Sequence, residues 1–283
     1  MTATRRSMAR AGVLAASAML LAGLGSPVFA AAPANDSSAT PTIVGAVPYT
    51  DGPVSTLEAT TAPTDPAFCF DPESGPDRAT VWYRFTPAAS SRYLVDTFDS
   101  SYDTTLYVGT PNGTGGIDVI GCVDDAANSL QSAVGWDGVA GTTYLIMVGT
   151  CCGGGGSGGG GTLVVHLDTA PPPPTIDVTV SGTGSFTRYG VATIGGTVTC
   201  TNAGGVFNLD AFLVEPVGRR EISGSVFGES LPCSATSTTW SVEIPGDTGK
   251  FLGGKATADL FVQACGPKEC TSDGETVDVR LRH

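Results

Sequence analysis

Two acidic stretches carry the clearest chemistry in this sequence. FDSSYDTT supplies Asp99 and Asp103, and CVDDAANS supplies Asp124 and Asp125. Four carboxylates drawn together from two loops make a hard-oxygen site, and Ca²⁺, which takes about six to eight oxygen ligands, suits it. Turn formation is the competing use. Asp closes Asx-turns through its own backbone, and no D-x-[DN]-x-[DN]-G run is present. Tyr102 and Tyr107 lie in or beside the first acidic stretch. With Trp136 they are the candidate ligand-binding rings, because sugar recognition uses exposed coplanar aromatics beside polar groups. Trp82, Tyr83 and Trp240 fall at strand-core positions.

Other chemistries lack their parts. Nucleophilic catalysis through a Ser–His or Cys–His pair needs a placed histidine, and the chain has two, His166 and His283. His166 alternates with apolar residues in TLVVHLD and reads as a solvent-facing strand residue, and His283 is terminal. Neither H-E-x-x-H nor G-x-S-x-G occurs, so no catalytic residue and no zinc site is assigned. Asp247-Thr248-Gly249 spells the aspartic-protease triplet, but that chemistry needs two aspartates sharing a proton and the triplet occurs once, inside a turn-like PGDTGK. Nothing marks a glycosidase carboxylate pair.

Composition sets the compartment. Arg5, Arg6 and Arg10 precede the apolar AGVLAASAMLLAGLG, and SPVFA ends on Ala30, the pattern of a secretory signal peptide over residues 1–30. Fifteen apolar residues rise only about 22 Å as a helix, short of the ~30 Å hydrocarbon core, so a membrane span is disfavoured. Loss of the leader takes the net charge from −13 to 11 − 27 = −16. Such a surface repels phosphate backbones and anionic lipid, so neither nucleic acid nor membrane is an expected partner. Eight cysteines in an exported chain read as a disulfide framework.

The elements that must position these residues are strands. ATVWYRFTP, SRYLVDTF, DTTLYVGT, SLQSAVGW, TTYLIMVG and TLVVHLD alternate with period 2, and IDVTVSG, GGTVTCT, FNLDAFLVEP, REISGSVF, TTWSVEIP, TADLFVQAC and ETVDVRLR repeat the pattern later. GGGGSGGGG has linker composition, yet matching strands flank it. It is read as the tip of a β-hairpin pairing residues 142–149 with 162–168. The divider is then the Pro-rich stretch 169–175, a polyproline II spacer between a domain at 31–168 and another at 176–283. The fold class is all-β, two β-sandwiches.

Two resemblances accompany this reading. ATVWYRFTPAASSRYLVDT, SSYDTTLYVGT, GCVDDAANSLQSAV and GVAGTTYLIMVG resemble a bacterial pre-peptidase C-terminal domain over residues 40–168. That resemblance implies a jelly-roll-like sandwich of the kind appended to secreted enzymes and shed or used for docking, although no peptidase domain precedes it here. GTVTC, GRREISGSVFGESLPC, TTWSVEIPGDTGKFLGGKA and ACGPKEC resemble an uncharacterised immunoglobulin-like domain of secreted proteins of high-GC bacteria. The second resemblance implies a fold and a cysteine pattern, and no activity. The expectation is a secreted, extracellular, monomeric, non-catalytic binding, docking or scaffold protein. Its partner is an extracellular protein or polysaccharide, and its only cofactor candidate is Ca²⁺. A carbohydrate- or matrix-binding accessory module and a hydrolase are the alternatives.

The cysteines yield definite pairings in the second half only. The four-residue loop of CGPKEC can bring Cys265 to Cys270, which leaves Cys200 for Cys233, whereas an immunoglobulin-type bridge would join Cys200 to Cys265. Before the prolines, Cys69, Cys122, Cys151 and Cys152 allow three pairings. Adjacent Cα atoms sit about 3.8 Å apart, below the usual disulfide span of roughly 4.4–6.8 Å, which disfavours a vicinal Cys151–Cys152 bond. Mass spectrometry of the unreduced protein is expected to link Cys151 and Cys152 separately to Cys69 and Cys122. A vicinal bond beside Cys69–Cys122 would overturn that assignment.

Overall fold

The computed structural model describes residues 31–283 except 69–72, 74, 128 and 151–158. The expected signal peptide, the Gly-rich tip and Cys69, Cys151 and Cys152 lie outside the described residues. Among those described there is no α-helix, and seventeen strands carry the fold. Alternating residues point to opposite faces of a strand, so the apolar series Val81/Tyr83/Phe85 and Tyr144/Ile146/Val148 each demand a covered sheet face.

Nine strands meet that demand before the prolines. A five-stranded sheet is ordered β1 (Thr42–Val44), β3 (Arg78–Phe85), β8 (Tyr144–Thr150), β5 (Thr104–Pro111), β6 (Ile117–Val123). A four-stranded sheet is ordered β2 (Tyr49–Ser55), β9 (Thr162–Thr169), β4 (Ser91–Asp96), β7 (Ala133–Gly138). The inner faces share one core, in which Phe85, Tyr93, Trp136 and Tyr144 pack edge-on or tilted. A smaller cluster of Trp82, Tyr107, Ile117, Leu145 and Met147 covers the other face of the five-stranded sheet.

The expected hairpin is not formed. β8 pairs with β3 and β5, while β9 pairs with β2 and β4, so the strands flanking the Gly-rich run lie in opposite sheets. Period-2 alternation identifies which face of a strand meets the core, and both strands do enter the same core. It does not identify the neighbour that takes the backbone hydrogen bonds, and here the two strands share a core without sharing a ladder.

Eight strands follow the prolines: β10 (Thr175–Val180), β11 (Thr183–Phe186), β12 (Ala192–Thr201), β13 (Val206–Val217), β14 (Arg220–Pro232), β15 (Thr238–Ile244), β16 (Gly254–Cys265) and β17 (Cys270–Arg282). β12 takes β15 on one edge and β10 then β11 on the other, and β11 runs parallel to β17. The order then continues β17–β16–β13–β14. Ile194, Val198 and Trp240 from the first layer pack on Leu209, Leu213, Leu260 and Val262 from the second. Disulfides join Cys200 to Cys233 and Cys265 to Cys270, as the spacing predicts, and the Cys200–Cys265 alternative is absent.

The β16–β17 turn reaches back across the prolines. Its Glu269 carboxylate receives both Arg92 guanidinium nitrogens, at 2.6 and 2.9 Å, and its neighbour Lys268 donates to Asp96 at 2.5 Å. Arg92 also donates to the Pro171 carbonyl at 3.0 Å. Ala32–His283 accordingly forms one compact unit. Gly135 on β7 leaves the space this pair occupies, since a Cβ there would overlap both the Arg92 guanidinium and the Glu269 carboxylate. Gly135→Ala and Glu269→Ala are therefore expected to destabilise by a similar amount, roughly 1–3 kcal/mol. The double variant is expected to cost little more than either single one. Chemical denaturation checks this, and additive losses would mean that Gly135 serves some other purpose.

Candidate functional site

Strand pairing brings the two acidic stretches together. β5 and β6 are antiparallel neighbours with Leu106 opposite Val123, so the residue before β5 and those after β6 emerge at the same sheet end. Asp103, Asp124 and Asp125 each place a carboxylate oxygen there, all within 4.8 Å of one another. Asp99 does not join them. It sits exposed, with φ 72°, in a turn closed by the Ser100 N–H on the Thr97 carbonyl. Four expected ligands thus become three.

Buried hydroxyls pin the pocket from beneath. Ser132 donates to the Asp124 carbonyl at 2.6 Å and to the Thr104 carbonyl, and its N–H donates to Thr97 Oγ1 at 2.9 Å. Thr97 and Thr104 share a 2.6 Å hydroxyl contact. All three side chains are fully buried. These bonds hold the backbone at Thr104, next to Asp103, and at Asp124.

The electrostatics are unfavourable as they stand. The Asp124 carboxyl is pushed up to about 6, first by burial and then by the charges of Asp103, Asp125 and Asp77. Asp103 is raised as well, by burial and by Asp125, and among the described residues its buried Oδ1 has no hydrogen-bond partner. Beneath them Asp77 is 1 % exposed; burial raises its carboxyl against the hydroxyls of Thr105 and Tyr107, each donating at 2.6 Å. Among the described residues neither Asp103 nor Asp125 has an ion pair. The donor set is hard oxygen throughout, and an orphaned carboxylate oxygen faces its like. These residues fit a divalent cation of the Ca²⁺ type.

The expected aromatic platform is not there. Tyr107 is fully buried beneath Asp77, and Trp136 is 4 % exposed within the main core. Tyr102 is half-buried, with its hydroxyl enclosed and pushed up to about 12 by burial. All three lie next to acidic or polar residues in sequence, but the register of β5 and β7 buries the rings of Tyr107 and Trp136. Trp82, Tyr83 and Trp240 are core residues, as read from the sequence.

His166 has a role that alternation alone did not show. Its Nδ1 meets Asp96 Oδ1 at 3.0 Å, and Asp96, 1 % exposed, also holds Lys268. These groups line a cleft of about 600 Å³ with Tyr49, Leu94, Pro171 and Pro267. The one signal available was positional: His166 and Asp96 both sit off the core face of their strands, and register makes them direct cross-strand neighbours. The Asp247 triplet is a turn element, with Asp247 accepting from Ser225 Oγ and Thr248 Oγ1 accepting the Ser223 N–H. His283 packs edge-on against Phe186.

No known protein family matches this chain, and no curated protein matches it. Solved structures that align with this chain include a GH2 β-galacturonidase from Eisenbergiella tayi, at 12% identity over 70% of this chain and 35% of that one, TM-score 0.22. A β-glucuronidase from Parabacteroides merdae aligns at 14% identity over 74% and 30%, TM-score 0.22. The glycoside hydrolase domain of Endo-D from Streptococcus pneumoniae aligns at 14% over 70% and 31%, TM-score 0.21. The chain spans about a third of the length of these structures, and at this similarity their activities do not transfer to it.

A carboxyl whose folded value lies above its unfolded one favours the folded state only while protonated. That stability is present below the unfolded value near 4 and is lost as pH rises through about 6. In chelator, Asp124→Asn is therefore expected to raise the unfolding midpoint by several degrees at pH 7 and to leave it nearly unchanged at pH 4. An equal shift at both pH values would contradict the electrostatic account.

Proposed function

We propose that this protein is an exported, non-catalytic binding or docking protein that takes Ca²⁺ between Asp103, Asp124 and Asp125. The observation that carries the reading is the convergence of these three carboxylates within 4.8 Å on a rigid, hydroxyl-pinned base. Their mutual repulsion, which helps to raise the Asp103 and Asp124 carboxyls, is what a cation bound between them would relieve. A bound cation would offset that repulsion and hold the ends of β5 and β6 together, stiffening the surface beside them. Along that surface runs a second cleft, of about 700 Å³, lined by Asp125, Leu130, Gln263 and Glu269.

Export is supported by the two disulfides among the described residues, which suit an oxidising compartment, and by the leader-like residues 1–30. No helix among the described residues is long and apolar enough to cross a membrane. A docking role also agrees with what the resemblance of residues 40–168 to pre-peptidase C-terminal domains implies. The carbohydrate reading loses its support with the burial of Tyr107 and Trp136.

Extracellular calcium modules bind in the range of about 10⁻⁴–10⁻³ M, so 10 mM Ca²⁺ is expected to add roughly 1–3 kcal/mol to the folded state. Thermal unfolding of the mature protein should shift upward by several degrees and return with chelator. The Asp103→Asn/Asp124→Asn/Asp125→Asn variant should be insensitive to Ca²⁺. An unchanged midpoint in the native protein would leave these acids as turn residues.

A further inference from the structure

The outer face of the β14–β13–β16 sheet carries three solvent-facing phenyl rings: Phe212 is 46% exposed, Phe227 60% and Phe261 50%. Large apolar side chains grouped on one sheet face, away from the core, are the informative kind of exposure. The register interleaves them with carboxylates. On β13 and β16, Asp210 lies opposite Phe261, and Phe212 lies opposite Asp259, so aromatic and acid alternate in both directions. A β-bulge in β14 completes the pattern by setting Phe227 and Gly228 against Asp210. Gly228 adopts φ 67°, and its N–H donates to Asp210 Oδ1 at 2.7 Å. Phe227 is thereby turned onto Phe212, with ring centroids 5.0 Å apart at 78°. Asp259 is held by the Thr276 hydroxyl at 2.9 Å.

Phenyl faces are electronegative and attract cations, and they also accept an aliphatic stem. A carboxylate beside each ring adds the opposite charge. Lysine and arginine side chains combine an apolar stem with a positive head, so they match both features at once. The local bases do not supply the match, since Lys255 and Arg280 pair at the far end of β16 and β17, six residues from Phe261 along the strand. We propose that this face docks a lysine- or arginine-bearing segment of another protein, its aliphatic stems lying over Phe212, Phe227 and Phe261 and its charges on Asp210 and Asp259. The proposal goes beyond the calcium reading and does not depend on it.

The test titrates an acetylated tetralysine peptide into the mature protein in chelator at low salt, by calorimetry. Saturable one-to-one binding is expected. Asp210→Asn/Asp259→Asn keeps the oxygens that receive the Gly228 and Thr276 donors, so it should fold normally and weaken binding about tenfold. Phe227→Ala should weaken it about threefold to thirtyfold. Removing two remote exposed acids, Asp118→Asn/Asp177→Asn, should change it little. No saturable binding would overturn the proposal, as would an equal loss in the remote variant, which would reveal only attraction to the net charge. Self-association abolished by Phe227→Ala would overturn it too, because a second copy would then own the face.

Discussion

A carboxylate buried to 1% exposure needs partners for its oxygens, and the two that Asp96 finds tie the chain together. One is His166 on the adjacent strand, and the other is Lys268, 172 residues away on the β16–β17 turn. Arg92 lies on the same outward face of β4, and it meets Glu269, the residue after Lys268. The order of charges on the strand, Arg then Asp, is answered by Glu and Lys on the turn. Any slip of the turn along β4 would oppose like charges, so the contact is specific as well as attractive. The Cys265–Cys270 bridge closes the base of that turn, and Gly135 leaves room above it. The clefts on either side of the turn inherit their walls from this one contact.

The acidic pocket follows the opposite logic. Asp96 is paired with residues of its own chain, whereas Asp103, Asp124 and Asp125 gather within 4.8 Å of one another, where burial and neighbouring like charges raise the Asp103 and Asp124 carboxyls. Their positions are over-determined by the Ser132, Thr97 and Thr104 hydroxyls and by the β5–β6 ladder. Placing like charges together costs stability, and an external ion bound between them would offset that cost. The contrast between a carboxylate paired with Lys268 and carboxylates gathered beside one another, within the same sandwich, separates a structural contact from a candidate binding site.

The sequence revealed the parts that depend on local pattern. Alternation identified the strands and most core positions, including Trp82, Tyr83 and Trp240, and a short Gly-Pro loop identified Cys265–Cys270. Three of four metal candidates could be named because Asp103 and Asp124–Asp125 sit at the ends of neighbouring strands. Asp99 was indistinguishable from them, because the left-handed turn that turns it outward leaves no mark in FDSSYDTT. Properties that depend on which strand lies beside which were not legible. These include the opposite-sheet placement of β8 and β9, the inward rotation of Tyr107 and Trp136, and the Asp96–His166–Lys268 contact. The checkered Phe and Asp residues of β13 and β16 belong to the same class, since each strand alone reads as ordinary alternation.

The central claim is that three carboxylates of this chain share one cation. Native mass spectrometry of the chelator-stripped protein, recorded as Ca²⁺ is added back, tests it most directly. The account predicts one ion per chain at millimolar Ca²⁺, lost in Asp103→Asn/Asp124→Asn and retained in Asp99→Asn. Equal occupancy in all three proteins, or none in the native one, would contradict it.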